Sequence, residues 1–384
     1  MKTEKNISMP FNNKNKFAYF ALGRNAIYSA CLSLDLKSGD TVLTPAFDCD
    51  SSLSPFRVLN LNIKYYKSDP YTFEADINNI KLNITPDVKL LHIINHFGIP
   101  QNWDALSELR RTTGIPIIED NAWSFYSKYK GKDLGSFGDF SIFSLYKVLP
   151  IIHGGLLVIN NKKFKLINHN NNQKWFYSTD KKKIISLILN NIGLGKVGRY
   201  IKKLFTRDVH FITPLYSDDP GYPELENRDK ILYEFSCDYL RPISKIATLQ
   251  LTKYTSEEYK VIAKKTKRIY KVIVQKLINL SQIKVLWKNI PKDVVPTCVL
   301  ILVHKNRDKV FSRLKAKGYS VFCWPTFSGD VIDKIDVFPE IEIIGKKIIQ
   351  IAIPHNKIFN KKSDSYFNSL TKEIIKSVKI FNPK

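Results

Sequence analysis

Apolar residues recur along the first 160 positions as short continuous runs that alternate with longer periodic segments. The continuous runs predict buried strands at 40–47, 61–69, 88–98, 115–120, 139–145 and 154–161. The periodic segments predict helices at 24–35 and 102–114. Apolar strands that alternate with helices favour a mostly parallel sheet that is covered on both faces. We therefore predict an α/β fold whose large domain has three α/β/α layers.

The alternation stops at about 162–230, which we interpret as an insertion in the large domain. Its segment 181–205, "KKKIISLILNNIGLGKVGRYIKKLF", is basic and roughly amphipathic. Such a segment can lie on an anionic membrane surface or fold as a helical hairpin packed on the large domain, and both interpretations stay open. We expect it to be an accessory surface outside the active site.

The rest of the chain predicts a second unit. Residues 244–280 contain few helix breakers and predict one long helix. A strand, a helix and a strand then follow at 296–303, 306–318 and 319–325. We predict a large domain at 1–250 and a small C-terminal α/β domain at 251–384.

Length and composition narrow the class of protein. A chain of 384 residues with 44% hydrophobic and 25% charged residues is typical of a globular protein with two domains. No apolar run approaches the roughly 18 residues of a membrane span, and the first 20 residues lack an apolar signal core. We expect a cytoplasmic protein. Five scattered cysteines without a CxxC pair argue against a zinc site or a disulfide framework.

The net charge of +25 could attract nucleic acid or an anionic membrane. The lysines, however, are spread over the whole chain and no nucleic-acid-binding motif is present. We expect no nucleic-acid partner, and we favour a packed insertion over membrane contact. A basic enzyme that binds phosphorylated substrates has the same composition.

Three short stretches carry candidate chemistry. "IPIIEDNAW" (115–123) places Asp120 at the end of a buried strand, where ligands bind in open α/β sheets, although the residue could also be a helix N-cap. "GRNAI" (23–27) places Gly23 at a helix start, which suits a phosphate or is simply a helix start. Lys147 follows an apolar strand and precedes a glycine pair, so it either covers an apolar edge or does chemistry.

A phosphate cradle, a carboxylate at a strand end and a lysine after another strand together suit pyridoxal phosphate. The lysine amine binds the cofactor aldehyde, and the carboxylate keeps the pyridine nitrogen protonated so that the ring accepts electrons. Backbone amides at a helix start and nearby hydroxyls hold the phosphate. The sequence therefore predicts a pyridoxal-phosphate site.

The order "GRNAI…TPAFDC…HFGIP…IIEDNAW…GSFGDFSIFSLYK…GG" resembles the DegT-type sugar aminotransferase family, pyridoxal-phosphate enzymes of fold type I, the aspartate-aminotransferase fold. The resemblance implies that Lys147 carries the cofactor and that Asp120 faces the pyridine nitrogen. It also implies that the remaining cofactor-binding positions are Gly23, Arg24, Asn25, Cys49, Ala122, Trp123 and Ser144. The chain departs from the family pattern at Trp123, usually His or Gln, and at Cys49, often an aromatic residue.

The same resemblance implies amino transfer to a keto-sugar, one that is nucleotide-linked, with glutamate as donor, in amino-sugar or polysaccharide biosynthesis. It also implies a homodimer with its site at the subunit interface. Two alternatives stay open: a sugar dehydratase that uses the same cofactor, and a non-catalytic scaffold protein of a polysaccharide assembly. The presence of Lys147 argues against the dehydratase, because relatives that lack transamination generally replace this lysine.

Overall fold

A computed structural model describes residues 16–167, 173–177, 238–323, 327–353 and 361–382. The helices in these ranges are α1 Gly23–Ser33, α2 Asp50–Val58, α3 Ile77–Asn83, α4 Trp103–Thr113, α5 Leu145–Val148, α6 Lys245–Leu251, α7 Ser256–Leu277, α8 Arg307–Ala316, α9 Gly329–Ile332, α10 Pro339–Lys347 and α11 Lys361–Phe381. The strands are β1 Lys16–Phe20, β2 Thr41–Pro45, β3 Asn62–Tyr66, β4 Val88–Ile94, β5 Ile117–Asp120, β6 Lys128–Tyr129, β7 Lys132–Asp133, β8 Phe140–Ser144, β9 Gly155–Ile159, β10 Ile283–Val285, β11 Cys298–Val303, β12 Val321–Phe322 and β13 Ile348–Ala352.

The larger sheet has seven strands in the order β1-β9-β8-β5-β4-β2-β3. The five strands from β8 to β3 pair in parallel, whereas β9 runs antiparallel to both β8 and β1. The mostly parallel sheet predicted from the sequence is confirmed. Six of its strands match the predicted apolar runs, and β1 at the antiparallel edge was not predicted. Strands β6 and β7 form a separate hairpin.

Both faces of this sheet are covered by helices. On β5, the side chain of Ile118 joins one hydrophobic cluster and that of its neighbour Ile117 joins another, because successive strand residues point to opposite faces. Helix α1 packs in the first cluster through Ala26 and Ile27, and α4 packs in the second through Leu106. The three-layer arrangement places the ends of the parallel strands between the two helical layers.

The smaller sheet is antiparallel, with the order β10-β11-β13-β12. One face of β11, including Val299, packs with α7, α8 and α11. The other face, including Leu300, packs in the same cluster as Ile118 of the larger sheet. Because this core is shared by both sheets, the domain boundary between 250 and 251 stays a prediction.

The single helix predicted at 244–280 is wrong, because the chain forms two helices, α6 and α7. The break is made by a capping box at the start of α7. The Thr255 side chain accepts a hydrogen bond from the Glu258 backbone N–H, and the Glu258 side chain accepts one from the Thr255 N–H. The letters "TSEE" carried this signal, and the apolar periodicity on both sides obscured it.

Some expectations fall outside the described residues. The basic segment 181–205 and most of the insertion lie there, so their predicted role is not decided by the fold. Among the helices that are described, none is long and apolar enough to cross a membrane. Four cysteines within the described ranges are free thiols, and three of them, Cys31, Cys298 and Cys323, are buried.

Gly155 fixes the distance between the sheet and the start of α1. A Cβ atom added at this glycine would lie 2.1 Å from the Leu22 carbonyl oxygen and 2.8 Å from the Gly23 backbone nitrogen. Only glycine permits this approach, since real Cβ contacts are never so short with backbone atoms. Gly155 also pairs with Ser144, so the close contact brings the start of α1 to the end of β8.

We predict that Gly155→Ala lowers the free energy of unfolding by about 2 kcal/mol or more, because the methyl group must push α1 away from β9. Chemical denaturation of both proteins measures the difference. Gly329→Ala is the matched control, because its Cβ would meet no atom within 4 Å. That variant should stay within about 0.5 kcal/mol of the unmodified protein. Equal stability of the Gly155 and Gly329 variants would contradict the packing argument.

Candidate active site

The ends of β5 and β8 bring the predicted carboxylate and lysine to the same edge of the sheet. The strands are parallel, with Asp120 opposite Ile142, and the Asn121 N–H donates to the Ile142 carbonyl at 2.8 Å. Ser144 ends β8, and Lys147 follows it in the short helix α5. This edge is where parallel sheets bind ligands.

The turn that carries Lys147 is held from both sides. The Leu145 N–H donates to the Gly154 carbonyl at 2.8 Å, and the Tyr126 hydroxyl donates to the Val148 carbonyl at 3.1 Å. The Lys147 side chain is half-buried, and its Nζ lies 4.4 Å from the centroid of the Trp123 ring. This is the distance of a cation–π contact. The indole therefore contacts the lysine amine at the edge of the sheet where β5 ends with Asp120.

Asp120 is buried at the end of β5, with 3% of its surface exposed. Its Oδ1 accepts a hydrogen bond from the Ala122 N–H at 2.8 Å, and its Oδ2 lies 3.3 Å from His92 Nε2. Residues 121–127 form turns, so Asp120 stabilises a turn and the helix N-cap interpretation is wrong. One carboxylate oxygen thus accepts a hydrogen bond from the backbone, and the other faces a buried imidazole.

Gly23 at the start of α1 packs directly against Ser144 at the end of β8. A Cβ atom at Gly23 would lie 3.4 Å from Ser144 Cβ and 3.6 Å from its Oγ. Leu22 occupies the N-cap of α1 and has no side-chain oxygen to cap the helix. The start of an 11-residue helix therefore lies beside a hydroxyl, an arrangement that suits a phosphate.

Arg24 and Asn25 extend from the same helix start. The Asn25 Nδ2 donates to the carbonyls of Asp238 at 3.2 Å and Tyr239 at 2.9 Å, so this amide ties α1 to a later segment of the chain. Arg24 Nη1 and Asn25 Oδ1 are buried and have no hydrogen-bond partner among the described residues. Their phosphate contact stays a prediction, and the enclosed polar atoms are consistent with it.

Cys49 lies at the N-cap of α2 and is half-buried. Its Sγ is 3.1 Å from Ser51 Oγ, a contact within its own turn. The nearby Phe47 is fully buried and its ring packs against Phe73 at 4.6 Å and Phe327 at 5.6 Å. Phe47 thus belongs to the core, and the position of Cys49 near a cofactor ring stays a prediction.

A buried polar chain behind Asp120 was missed by the sequence analysis. His92 is fully buried in β4, with Nδ1 at 2.9 Å from Thr44 Oγ1 and 3.9 Å from Asp48 Oδ2. Asp48 is itself buried, and burial raises the pKa of its carboxyl to about 7 against the opposing effect of His92. A histidine inside the apolar run "VKLLHII" was the available signal, since an imidazole in a buried strand needs polar partners.

Glu119 precedes Asp120 in β5, and its structural role was not predicted from the sequence. Its carboxylate is fully buried and accepts hydrogen bonds from the backbone N–H groups of Gly135 at 2.5 Å, Phe137 at 2.8 Å and Gly138 at 3.1 Å. Burial raises the pKa of Glu119, and these donors oppose the rise. The residue organises the loop that leads into β8.

The chain is similar in sequence to known sugar-modifying enzymes. Residues 15–173 match the DegT/DnrJ/EryC1/StrS aminotransferase family. The chain is 32% identical over 142 residues to the GDP-perosamine synthase of Escherichia coli O157:H7, a match that covers 36% of this chain and 39% of that relative. The alignment therefore spans well under half the length of this curated relative.

Solved structures share the fold over nearly the whole chain. The aminotransferase TlmJ from Streptoalloteichus hindustanus aligns with a TM-score of 0.64 and 15% identity, covering 94% of this chain and 85% of that one. An E. coli GDP-4-keto-6-deoxy-D-mannose-3-dehydratase with bound hydrated PLP aligns with a TM-score of 0.61 and 15% identity, covering 94% and 88%. The predicted three-layer fold of type I pyridoxal-phosphate enzymes is confirmed.

We predict that Asp48→Asn changes the pH dependence of stability. In an unfolded chain the carboxyl has a pKa near ~3.9, and in the folded protein burial raises it to about 7. Between these values the folded state holds a proton that the unfolded state has lost, so stability falls as the pH rises.

The Asp48→Asn variant has no carboxyl to titrate, so it lacks this fall of stability with rising pH. Its free energy of unfolding, relative to the unmodified protein, should therefore rise between about pH 5 and about pH 8. Urea unfolding at the two pH values measures the change. A constant difference would show that Asp48 is ionised in the folded state throughout this range.

Proposed function

We propose that this chain, in which residues 15–173 belong to the DegT/DnrJ/EryC1/StrS aminotransferase family, is a pyridoxal-phosphate-dependent aminotransferase of a keto-sugar. One observation carries the proposal. The amine of Lys147 lies on the Trp123 ring at the end of β8, and the buried Asp120 carboxylate ends the neighbouring strand β5. A lysine and a carboxylate beside one helix start are the groups that this cofactor requires.

The residues at this edge fit the cofactor. Asp120 would hold the pyridine nitrogen, because its carboxylate is buried at the end of β5 and its Oδ2 lies 3.3 Å from the Nε2 of the histidine behind it. Gly23 and Ser144 would hold the phosphate, because a helix start and a hydroxyl meet there. Lys147 would carry the cofactor covalently. Bound pyridoxal phosphate supplies an electron-accepting ring that stabilises negative charge at the substrate carbon.

The chain's own residues would then move protons. Lys147 Nζ, once released from the cofactor, would take the proton from the donor's Cα and return it at the cofactor carbon that had carried the lysine, acting as general base and then general acid. Trp123 holds the ammonium group between these transfers through its ring face. Tyr126 fixes the turn on which the lysine moves, through its hydrogen bond to Val148.

We further propose a nucleotide-linked keto-sugar as acceptor and glutamate as donor. The amino group leaves glutamate, which becomes 2-oxoglutarate, and the keto carbon of the sugar receives it. The similarity to a GDP-perosamine synthase supports a nucleotide-linked substrate, and the net charge of +25 suits a phosphorylated one. The product would enter amino-sugar or polysaccharide biosynthesis.

A dehydratase is the second candidate, because a sugar dehydratase shares this fold. Lys147 favours the aminotransferase, since relatives that lack transamination generally replace this lysine. A third candidate, a non-catalytic scaffold, would need neither the lysine nor the buried carboxylate. The two enzymes differ in product, because a dehydratase releases water and transfers no amino group.

We propose that the enzyme is a homodimer in the cytoplasm. Several large apolar side chains near the lysine turn are exposed in the isolated chain. They are Tyr146 at 37%, Trp175 at 62%, Phe176 at 47% and Leu249 at 44%. The Ile246 N–H donates to the Trp175 carbonyl, so Trp175 lies beside the start of α6. A second copy over this surface would bury aromatic residues of the kind that interfaces favour.

Mass spectrometry of the reaction tests the function. The purified protein is incubated with pyridoxal phosphate, glutamate and GDP-linked or dTDP-linked 4-keto-sugars. We expect an amino-sugar nucleotide and an equal amount of 2-oxoglutarate. Loss of water from the sugar without amine incorporation would support the dehydratase. Absence of cofactor binding would support the scaffold.

We predict that Lys147 is the residue that carries the cofactor. Borohydride reduction of the loaded protein should fix pyridoxyl mass on the peptide that contains Lys147, because only a covalently bound cofactor is trapped in this way. Peptide mass spectrometry locates the label. Lys147→Arg keeps the positive charge and should remove both the label and the transamination. A label on another lysine would overturn the assignment.

We predict that Asp120→Asn leaves the fold intact and lowers turnover by about 100-fold or more, because a neutral amide no longer stabilises a protonated pyridine nitrogen. Steady-state kinetics with glutamate measures the loss. Asp76→Asn is the matched control, because Asp76 caps α3 through its side chain and asparagine also caps helices well. Near-normal turnover of the Asp120 variant would show that the carboxylate only stabilises its turn.

A further inference from the structure

His92 has both of its ring nitrogens directed at polar partners. Nε2 lies 3.3 Å from Asp120 Oδ2 and Nδ1 lies 2.9 Å from Thr44 Oγ1. The Phe56 ring packs edge-on against the imidazole, with 5.5 Å between the ring centroids. The imidazole is fully buried, so contacts at both ends and on one side fix its orientation.

The chemistry of these partners decides which nitrogen carries the proton. An ionised carboxylate accepts hydrogen bonds and cannot donate, whereas a threonine hydroxyl can do either. The nitrogen that faces Asp120 must therefore be protonated, and Nδ1 of the neutral ring accepts from the Thr44 hydroxyl. Thr44 thus sets the tautomer in which His92 donates to Asp120.

Three further titratable groups, Asp48, His96 and Tyr66, lie around His92 among the described residues. Asp48 Oδ2 lies 3.9 Å from Nδ1, beyond hydrogen-bond distance. Asp48 Oδ1 accepts from the Cys49 N–H at 2.6 Å, so this carboxylate is engaged in its own turn. Burial lowers the pKa of the neighbouring His96 to about 3, so His96 is neutral. The Tyr66 hydroxyl donates to the His92 backbone carbonyl at 3.1 Å and leaves the ring untouched.

We propose that His92 is a positioning residue that orients the Asp120 carboxylate and thereby sets the affinity for the cofactor. The inference rests on the proposed pyridoxal-phosphate site. The Ala122 N–H holds Oδ1 and the His92 Nε2–H holds Oδ2, so two donors fix the carboxylate plane. A carboxylate that is already fixed binds a pyridinium without reorganisation. Without His92, Oδ2 is buried and loses this donor.

The test measures the dissociation constant of pyridoxal phosphate by visible absorbance, without substrate. We expect His92→Leu to weaken binding by about tenfold or more, the loss of a hydrogen bond to a charged group. His92→Gln can still donate from its amide and should stay within about threefold. In an Asp120→Asn background, His92→Leu should have little further effect, because the two residues act as one unit.

Tyr66→Phe is the matched control, because it removes a buried hydrogen bond to the backbone carbonyl of His92 and leaves the contacts of the His92 ring unchanged. This variant should bind the cofactor normally. Should His92→Leu fail to fold, Thr44→Val removes only the hydroxyl that sets the tautomer and should weaken binding by about threefold.

The outcomes separate the two proposals. If the unmodified protein does not change the absorbance spectrum of pyridoxal phosphate, the proposed function fails and this inference fails with it. If the unmodified protein binds the cofactor and the His92→Leu, or in its place the Thr44→Val, variant binds equally well, only this inference is overturned. An undiminished effect of His92→Leu in the Asp120→Asn background would also overturn it, because His92 would then act independently of Asp120.

Discussion

The buried carboxylate of Glu119 is the interaction on which the site depends. It accepts hydrogen bonds from three backbone N–H groups of the loop 135–138, from the Ser141 hydroxyl of β8 and from the Asn95 amide after β4. One side chain at the end of β5 therefore joins the end of β4 to the start of β8. Without it a loop rich in glycine would leave its polar backbone unsatisfied, and the start of the strand that leads to Lys147 would lose its anchor.

The residues of the proposed site are neighbours in space that lie far apart in the sequence. Asp120 follows Glu119 directly, and Lys147 lies beyond the end of β8, so parallel pairing places both at one edge. Gly155 lets α1 approach the same edge, which brings Gly23 to Ser144. Glycines thus set the distance between α1 and the edge of the sheet, where the charged residues Asp120 and Lys147 lie.

The fold by itself does not decide the reaction, since an aminotransferase and a sugar dehydratase both share it with this chain. In the proposed function the deciding groups are single side chains at the edge of the sheet. Lys147 would carry out amino transfer, and Trp123, at a position where the resembled family usually has His or Gln, contacts the lysine amine. His92 and Thr44 lie behind Asp120, so in the proposed site they would orient the carboxylate that faces the cofactor.

The sequence by itself determined the alternation of strands and helices, the three-layer fold, and Lys147 and Asp120 as candidates, because hydrophobic periodicity and short motifs are local properties. The sequence analysis did not separate α6 from α7, since apolar periodicity on both sides obscured the capping-box letters "TSEE", and the hydrogen-bond geometry shows that the box is formed. Nor did it show that His92 faces Asp120, 28 residues away. That contact exists because β4 and β5 pair in parallel, and pairing between distant strands is decided by the packing of the whole sheet.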